Sequence, residues 1–151
     1  MNNQDEKLKN FADVKKICVV GVSRRKKFGT MIYEHLKNSG FGMSSIHPEL
    51  KEFLGDKCYQ KLDEIQDKPE LVIIAVKTSK CTEILNDCVK LKINKVFFIS
   101  GTYSNDSLEF CKKNGIEVIY KSCPFLIYHT PGFHKIHKTI NTIFSVQPKY
   151  S

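Results

Sequence analysis

A doubly wound α/β domain, a five-stranded parallel sheet with helices on both faces, is what the sequence predicts, on three observations. Short apolar runs alternate with stretches of helical spacing, the first and third of those runs are continuous instead of alternating in polarity, and β-branched residues dominate them. Continuous apolar strands are covered on both faces, the arrangement that right-handed crossovers impose on a parallel sheet. A chain of 151 residues with 41% hydrophobic content can bury one respectable core, so one domain is expected.

The elements follow in order. Asp5 to Val14 reads as a short leading helix, with Leu8 and Phe11 spaced to pack on the sheet edge. "ICVVGV" from Ile17 is the first strand. Phe28, Ile32 and Leu36 recur every four residues and mark a helix that "NSG" stops at Asn38 to Gly40. A weaker second strand, "FGMSSI" from Phe41, leads to the third, "LVIIAV" from Leu71. Ile84, Leu85, Cys88 and Leu91 form the next helical stripe, followed by the strand "VFFIS" from Val96. Leu108 and Cys111 belong to a shorter helix closed by "KNG", and "IEVIY" from Ile116 is the fifth strand. After "TPG", residues Phe133, Ile136, Ile140, Ile143 and Phe144 make an extra amphipathic carboxyl-terminal helix. The domain is expected over residues 8–145, with 146–151 a flexible tail.

Composition narrows the partners less than the pattern does. A formal net charge of +8 suits a nucleic acid, an anionic membrane surface or a phosphorylated metabolite. The cations are spread over many segments, however, and neither a helix-turn-helix nor an RNA-reading aromatic motif is present. There is no run of 18 apolar residues, and "MNNQDEKLKN" lacks the order of a secretory signal, so a cytoplasmic protein with no membrane partner is expected. The six cysteines form no C-x-x-C pair, several sit in apolar runs as small hydrophobes, and no metal site is expected.

The chemistry concentrates at "VVGVSRRKKFGTMIYEHL", Val19 to Leu36. A strand ends at Val20, Gly21 supplies a sharp turn, and a helix starts near Lys26 to Gly29, leaving backbone N–H groups free to meet an anion. Ser23 adds a hydroxyl, and Arg24, Arg25, Lys26 and Lys27 add charge-assisted donors, which suits a diphosphate. The loop is neither a Walker A loop, since no G-K-[ST] follows, nor the full G-x-G-x-x-G fingerprint, since Ser23 stands at the second glycine. The second strand ends "SSIHPEL", with His47 and Pro48 where an NAD site places an acid. That absence, together with the cations, favours an adenosine carrying an extra phosphate, as in CoA or NADP. The remaining reading of the "RRKK" run is a solvated loop.

With these pieces in order the chain resembles the CoA-binding Rossmann domain family, small stand-alone relatives of the amino-terminal domain of succinyl-CoA synthetase alpha subunits, from about Leu8 to Phe144. The marks are "VVGVS" followed by "KFG", Pro48 after the second strand, "GDKCYQKL" from Gly55, "ELVIIAV" from Glu70, Gly101, and "CP" at Cys123 and Pro124. Two positions depart from the family pattern: Lys77 replaces a common proline after the third strand, and His47 replaces an asparagine. The resemblance implies coenzyme A or an acyl-CoA across the carboxyl edge of the sheet. Gly21, Val22, Ser23, Arg24, Arg25 and Lys26, with Phe28 and Gly29, would hold phosphates; His47 and Pro48 would border the adenosine; Val76, Lys77, Thr78 and Ser79, with Ser100 and Gly101, would line the pantetheine path toward Cys123 and Pro124.

No Ser-His-Asp set or acid/base carboxylate pair is visible, so no catalytic residue is expected, and the role implied is a carrier, sensor or regulatory module. His129, His134 and His137 crowd together without a local carboxylate or cysteine, beside Lys135 and Lys138, and read as a half-buried or subunit-facing surface that makes a homodimer possible. Cys123 is placed where a CoA thiol arrives, so both a mixed disulfide and a packed turn residue remain open. The rival functions are an NADP-binding oxidoreductase-like protein and a basic nucleic-acid binder.

Overall fold

The computed structural model describes residues 3–25 and 27–128. The elements run α1 (Asn3–Ala12), β1 (Lys16–Val20), α2 (Phe28–Asn38), β2 (Gly42–Ile46), β3 (Glu52–Phe53), β4 (Asp56–Tyr59), β5 (Leu71–Ile74), α3 (Cys81–Lys90), β6 (Lys95–Phe98), α4 (Asn105–Lys113), β7 (Glu117–Ile119) and α5 (Pro124–Ile127). The helix expected over Phe133 to Phe144, the three histidines His129, His134 and His137, the tail 146–151 and Lys26 lie outside the described residues.

The sheet has seven strands in the order β3-β4-β2-β1-β5-β6-β7, two more than expected. The five expected runs are all present and mutually parallel, as β2, β1, β5, β6 and β7. The additional pair is a hairpin: β4 lies parallel to β2 through Ser45 and Ile46, and β3 returns antiparallel through Glu52 and Phe53. Its turn is made by Leu54 (φ 48) and Gly55 (φ 81), both left-handed, as a two-residue hairpin turn requires.

From β1 the chain winds one way to β2 and the other way to β5, β6 and β7, so the strand order reverses between β1 and β5. The register aligns Val20 with Ile46 on one side and Ile74 on the other, and Ile74 with Phe98. The carboxyl ends therefore form one edge, and the loops that leave it diverge at the reversal, where doubly wound sheets take ligands.

Each central strand feeds two cores. Ile17 and Val19 of β1, with Leu71 and Ile73 of β5, join Leu8 and Phe11 of α1 and Ile32, Tyr33 and Leu36 of α2. Leu8 and Phe11, expected to pack on the sheet, are thus buried in the same core as the central strands. Cys18, Val20, Val72 and Ile74 point the other way and join Leu85 and Cys88 of α3 and Cys111 of α4. This alternation explains the continuous apolar runs, because both faces of the sheet are dry. Five of the cysteines are buried and none is disulfide-bonded, which matches their reading as small hydrophobes. Ser104 caps α4 in a reciprocal box with Ser107.

α2 departs from the expected stripe at one position. Ile32 and Leu36 are fully buried, but Phe28 is 39% exposed, and Gly29 and Tyr33 take its place on the inner face.

Candidate functional site at the carboxyl edge of the sheet

Gly21 ends β1 with φ +111, and a Cβ there would stand 2.7 Å from the carbonyl oxygen of Ala75 after β5. Gly29, in the first turn of α2, approaches Gly21 so closely that a Cβ would lie 2.6 Å from its carbonyl oxygen. The two glycines let a strand end, a helix start and a neighbouring strand end meet without side chains between them. They take the first and third roles of a dinucleotide loop, tight turn and close helix packing, although their spacing breaks the usual sequence fingerprint.

The loop between them is fastened internally. Ser23 N–H donates to Thr30 Oγ1 (3.0 Å), and that hydroxyl donates to Ser23 O (2.7 Å). Arg25 N–H donates to Ser23 Oγ (3.2 Å) and Lys27 N–H to Arg25 O (2.7 Å). Those three loop donors, expected to be free, are thus committed, which leaves the N–H groups of the first turn of α2 as the ones without an intrahelical acceptor. There Lys27 at the N-cap position gives no side-chain cap. Arg24, Arg25 and Lys27 are exposed beside this turn, and among the described residues none of them has an acidic partner.

At the end of β2, His47 N–H donates to Tyr59 O (2.9 Å), which ties the loop to β4. Its ring Nδ1 accepts from Glu49 N–H (3.0 Å) and Leu50 N–H (3.1 Å). Accepting both bonds leaves Nδ1 unprotonated and places the ring proton on Nε2. The imidazole thus holds the turn through its own following backbone, the bonding mode that asparagine side chains use in turns. Pro48 is exposed beside it.

The loops after β5 and β6 are stitched to one another. Thr102 Oγ1 lies 2.6 Å from Ile99 O and 3.2 Å from Ile74 O, Cys81 Sγ donates to Thr102 O (2.9 Å), and Thr78 Oγ1 donates weakly to Gly101 O (3.5 Å). Burial pushes the Cys81 thiol up to about 11, so at neutral pH it remains a donor. Lys77 has φ −58 and ψ 149, a conformation open to proline, and places an exposed cation on the loop. Val76 is half-buried, whereas Thr78, Ser100 and Gly101 are exposed on the same edge.

After β7 the chain returns toward α2. Half-buried Cys123 precedes α5, with Pro124 at its start. Phe125 then stacks edge-to-face on Phe28 (5.7 Å between ring centres) and on His35 (4.9 Å). This return draws Cys123 and Pro124, which follow the outermost strand, toward the beginning of α2. The candidate residues Gly21, Val22, Ser23, Arg24, Arg25, Phe28, Gly29, His47, Pro48, Val76, Lys77, Thr78, Ser100, Gly101, Cys123 and Pro124 thus all follow carboxyl strand ends of one sheet edge. Thr30, Thr102, Cys81 and Phe125 are the supports that spacing did not mark. Two crevices elsewhere are lined by mixed charge: one of about 300 Å³ between Lys16, Ser44 and Asp67, the other of about 540 Å³ along α3. The second reaches this edge only at Ser79, beside Thr78. Among the described residues no group of three His, Cys, Asp or Glu side chains is placed to hold a metal, and no helix is long and apolar enough to cross a membrane.

Residues 15–129 match the family model described as a CoA binding domain. An ADP-forming acetate–CoA ligase of Methanocaldococcus jannaschii is 25% identical over 154 residues, covering 96% of this chain and 21% of the ligase. The chain thus spans about a fifth of the length of that curated relative. A hypothetical protein from Pyrococcus horikoshii has the same fold, with a TM-score of 0.75 at 22% identity over 93% of this chain and 92% of its own. A dinucleotide-forming acetyl-coenzyme A synthetase of Ca. Korarchaeum cryptofilum, solved with phosphate and ADP, matches with a TM-score of 0.64 at 26% identity, over 75% of this chain and 27% of that one.

Proposed function

Since the chain belongs to the CoA binding domain family and is related to an ADP-forming acetate–CoA ligase, we propose that it binds coenzyme A or an acyl-CoA along the carboxyl edge of its sheet. The observation that carries the reading is the first turn of α2, without a side-chain cap, held against Gly21 by Gly29 and flanked by Arg24, Arg25 and Lys27, whose side chains have no acidic partner among the described residues. In this reading the diphosphate sits on that turn, where the helix dipole and a ring of cations favour it. Arg24 and Arg25 meet the 3′-phosphate of the adenosine, with His47 and Pro48 bordering the base and ribose. Pantetheine runs over Val76 to Thr78 and Ser100 to Gly101, a floor kept rigid by Thr102, and its thiol arrives near Cys123.

In this reading the edge supplies binding groups and the chain acts as a carrier, sensor or regulatory module. The ligase chemistry of the longer relative is not carried over, because the chain matches only a fifth of it. Thermal unfolding with CoA, acetyl-CoA, NADP and duplex DNA in parallel tests the reading. A ligand at one hundred times its dissociation constant stabilises by about 2.7 kcal/mol, so CoA or acetyl-CoA is expected to raise the midpoint by several degrees and the other two to leave it in place. A shift with NADP alone would favour an oxidoreductase-like protein, and one with DNA alone a nucleic-acid binder.

A further inference from the structure

We infer that the coenzyme is held as its acyl thioester, with the Ser122 hydroxyl donating to the thioester carbonyl oxygen; this rests on the reading that brings the sulfur end of CoA near Cys123. Among the described residues two buried side-chain oxygens have no hydrogen-bond partner, Ser45 Oγ and Ser122 Oγ. A buried hydroxyl without a partner is costly, so each calls for an explanation. Ser45 is fully buried on β2, where its register partner on β4 is Cys58, and lies out of reach of a ligand. Ser122 stands in the loop after β7, at the carboxyl edge, and is only half-buried, so the residue reaches the surface there.

The backbone at this place is unusual as well. Among the described residues Leu54, Lys92 and Lys121 are the ones other than glycine with a left-handed φ. Leu54 lies in the hairpin turn. Lys92 ends α3, where Ile93 N–H donates to Cys88 O (2.9 Å) and Lys92 N–H to Val89 O (3.2 Å), the helix-closing pair of bonds that takes a left-handed residue. Lys121, with φ 58, follows a strand and closes neither a helix nor a hairpin. Such a conformation persists only where the surroundings over-determine it. Here they do so from both sides: Tyr120 packs edge-to-face with Tyr103 (4.9 Å between ring centres), and Phe125 stacks on Phe28 and His35. Between these anchors the strained lysine, the unpartnered hydroxyl and Cys123 follow one another in the chain.

What the ligand brings to this place decides its chemical class. A thiol is a weak donor and a weak acceptor, whereas a thioester adds a carbonyl oxygen that only accepts. Rotation about the single χ1 bond of Ser122, between staggered wells, is enough to turn its hydroxyl toward such an oxygen. The pairing relieves the orphaned hydroxyl only when an acyl group is present, so the preference for acyl-CoA over CoA draws on the cost carried by the unliganded protein as well as on the new bond.

Calorimetry of the full chain in reducing buffer with CoA, acetyl-CoA and S-ethyl-CoA, a thioether of similar size without the carbonyl, tests the inference. The wild type is expected to bind acetyl-CoA about five- to tenfold more tightly than S-ethyl-CoA. Ser122→Ala should bring the two together by weakening acetyl-CoA alone, and should leave the thermal midpoint of the unliganded chain level or higher, since the hydroxyl it removes has no partner to lose. Equal affinity of the wild type for acetyl-CoA and S-ethyl-CoA would overturn the inference without any variant, and so would a preference that survives Ser122→Ala. Equal losses of CoA and acetyl-CoA in Ser122→Ala would assign the hydroxyl to an amide of the pantetheine arm and overturn it too. If none of the three binds, the CoA reading itself falls; binding of all three without the preference leaves that reading standing and sinks this one.

Discussion

The loop after β1 and the two loops after β5 and β6 stand side by side on one sheet edge and are fastened in different ways. The first is pinned at its base by Gly21, Gly29 and the Ser23–Thr30 bonds, and its arginines have no partner among the described residues. The other two are joined by Thr102, Cys81 and Thr78, whose hydrogen bonds run to backbone carbonyls. One side offers exposed arginines on a fixed base, the other a floor where Thr78, Cys81 and Thr102 have their donors in use and Lys77 is the exposed cation at its rim. That division suits a ligand with a phosphorylated end and a long, weakly polar arm.

The largest expected effect tests the dry side. From an ordinary value of 9.0, burial raises Cys81 to about 11 and Cys18 and Cys111 to about 12. As pH rises, the unfolded chain loses these protons first, so the thiols' contribution is fully present below pH 9.0 and is lost as pH climbs toward the folded values. Each protected thiol lowers stability by about 1.4 kcal/mol per pH unit in that window. Urea midpoints measured from pH 8 upward should therefore stay level to about pH 9 and then fall steeply; a level midpoint through about pH 10.5 would show that these thiols are not dry.

The base of the phosphate side comes next. Gly21→Ala places a Cβ against Ala75 O at a left-handed φ, and is expected to cost about 3 kcal/mol in urea unfolding. A loss below about 1 kcal/mol would mean that the turn is looser than described. The charges above this base should behave oppositely. Replacing Arg24 and Arg25 together by alanine should leave stability within about 0.5 kcal/mol and weaken CoA about ten- to a hundredfold in calorimetry. Dephospho-CoA should lose much less. Smallest of all, Lys77→Pro should raise stability by about 0.4–1 kcal/mol, since the backbone already has the proline conformation; destabilisation would break the comparison on its rigid side.

Much of this edge was legible in the sequence, and what was missed has a common cause. Apolar runs revealed the five parallel strands, and the two continuous ones, β1 and β5, carry the mark that burial on both faces leaves in composition alone. The β3–β4 hairpin left no such mark: β3 is two residues long, β4 buries only Cys58, and Leu54 stands where Asn or Asp would have announced the turn. Phe28 fitted the spacing of the α2 stripe, but the close approach of Gly29 to Gly21 turns the helix so that Tyr33 is buried and Phe28 meets Phe125. Gly21 and the cations could be read locally, since a strand, a glycine and a helix start are adjacent in the chain. Thr30, Thr102 and Phe125 act on partners that the fold brings near, and nothing in their own neighbourhood distinguishes them.

The central claim is that the first turn of α2 holds the phosphates of CoA. Amide chemical shifts of the isotope-labelled chain titrated with CoA test it most directly. The account predicts the largest changes at Phe28, Gly29 and Thr30, with smaller ones at Gly21 to Arg25 and His47. Changes confined to the crevice at Lys16, Ser44 and Asp67, with the start of α2 undisturbed, would contradict it.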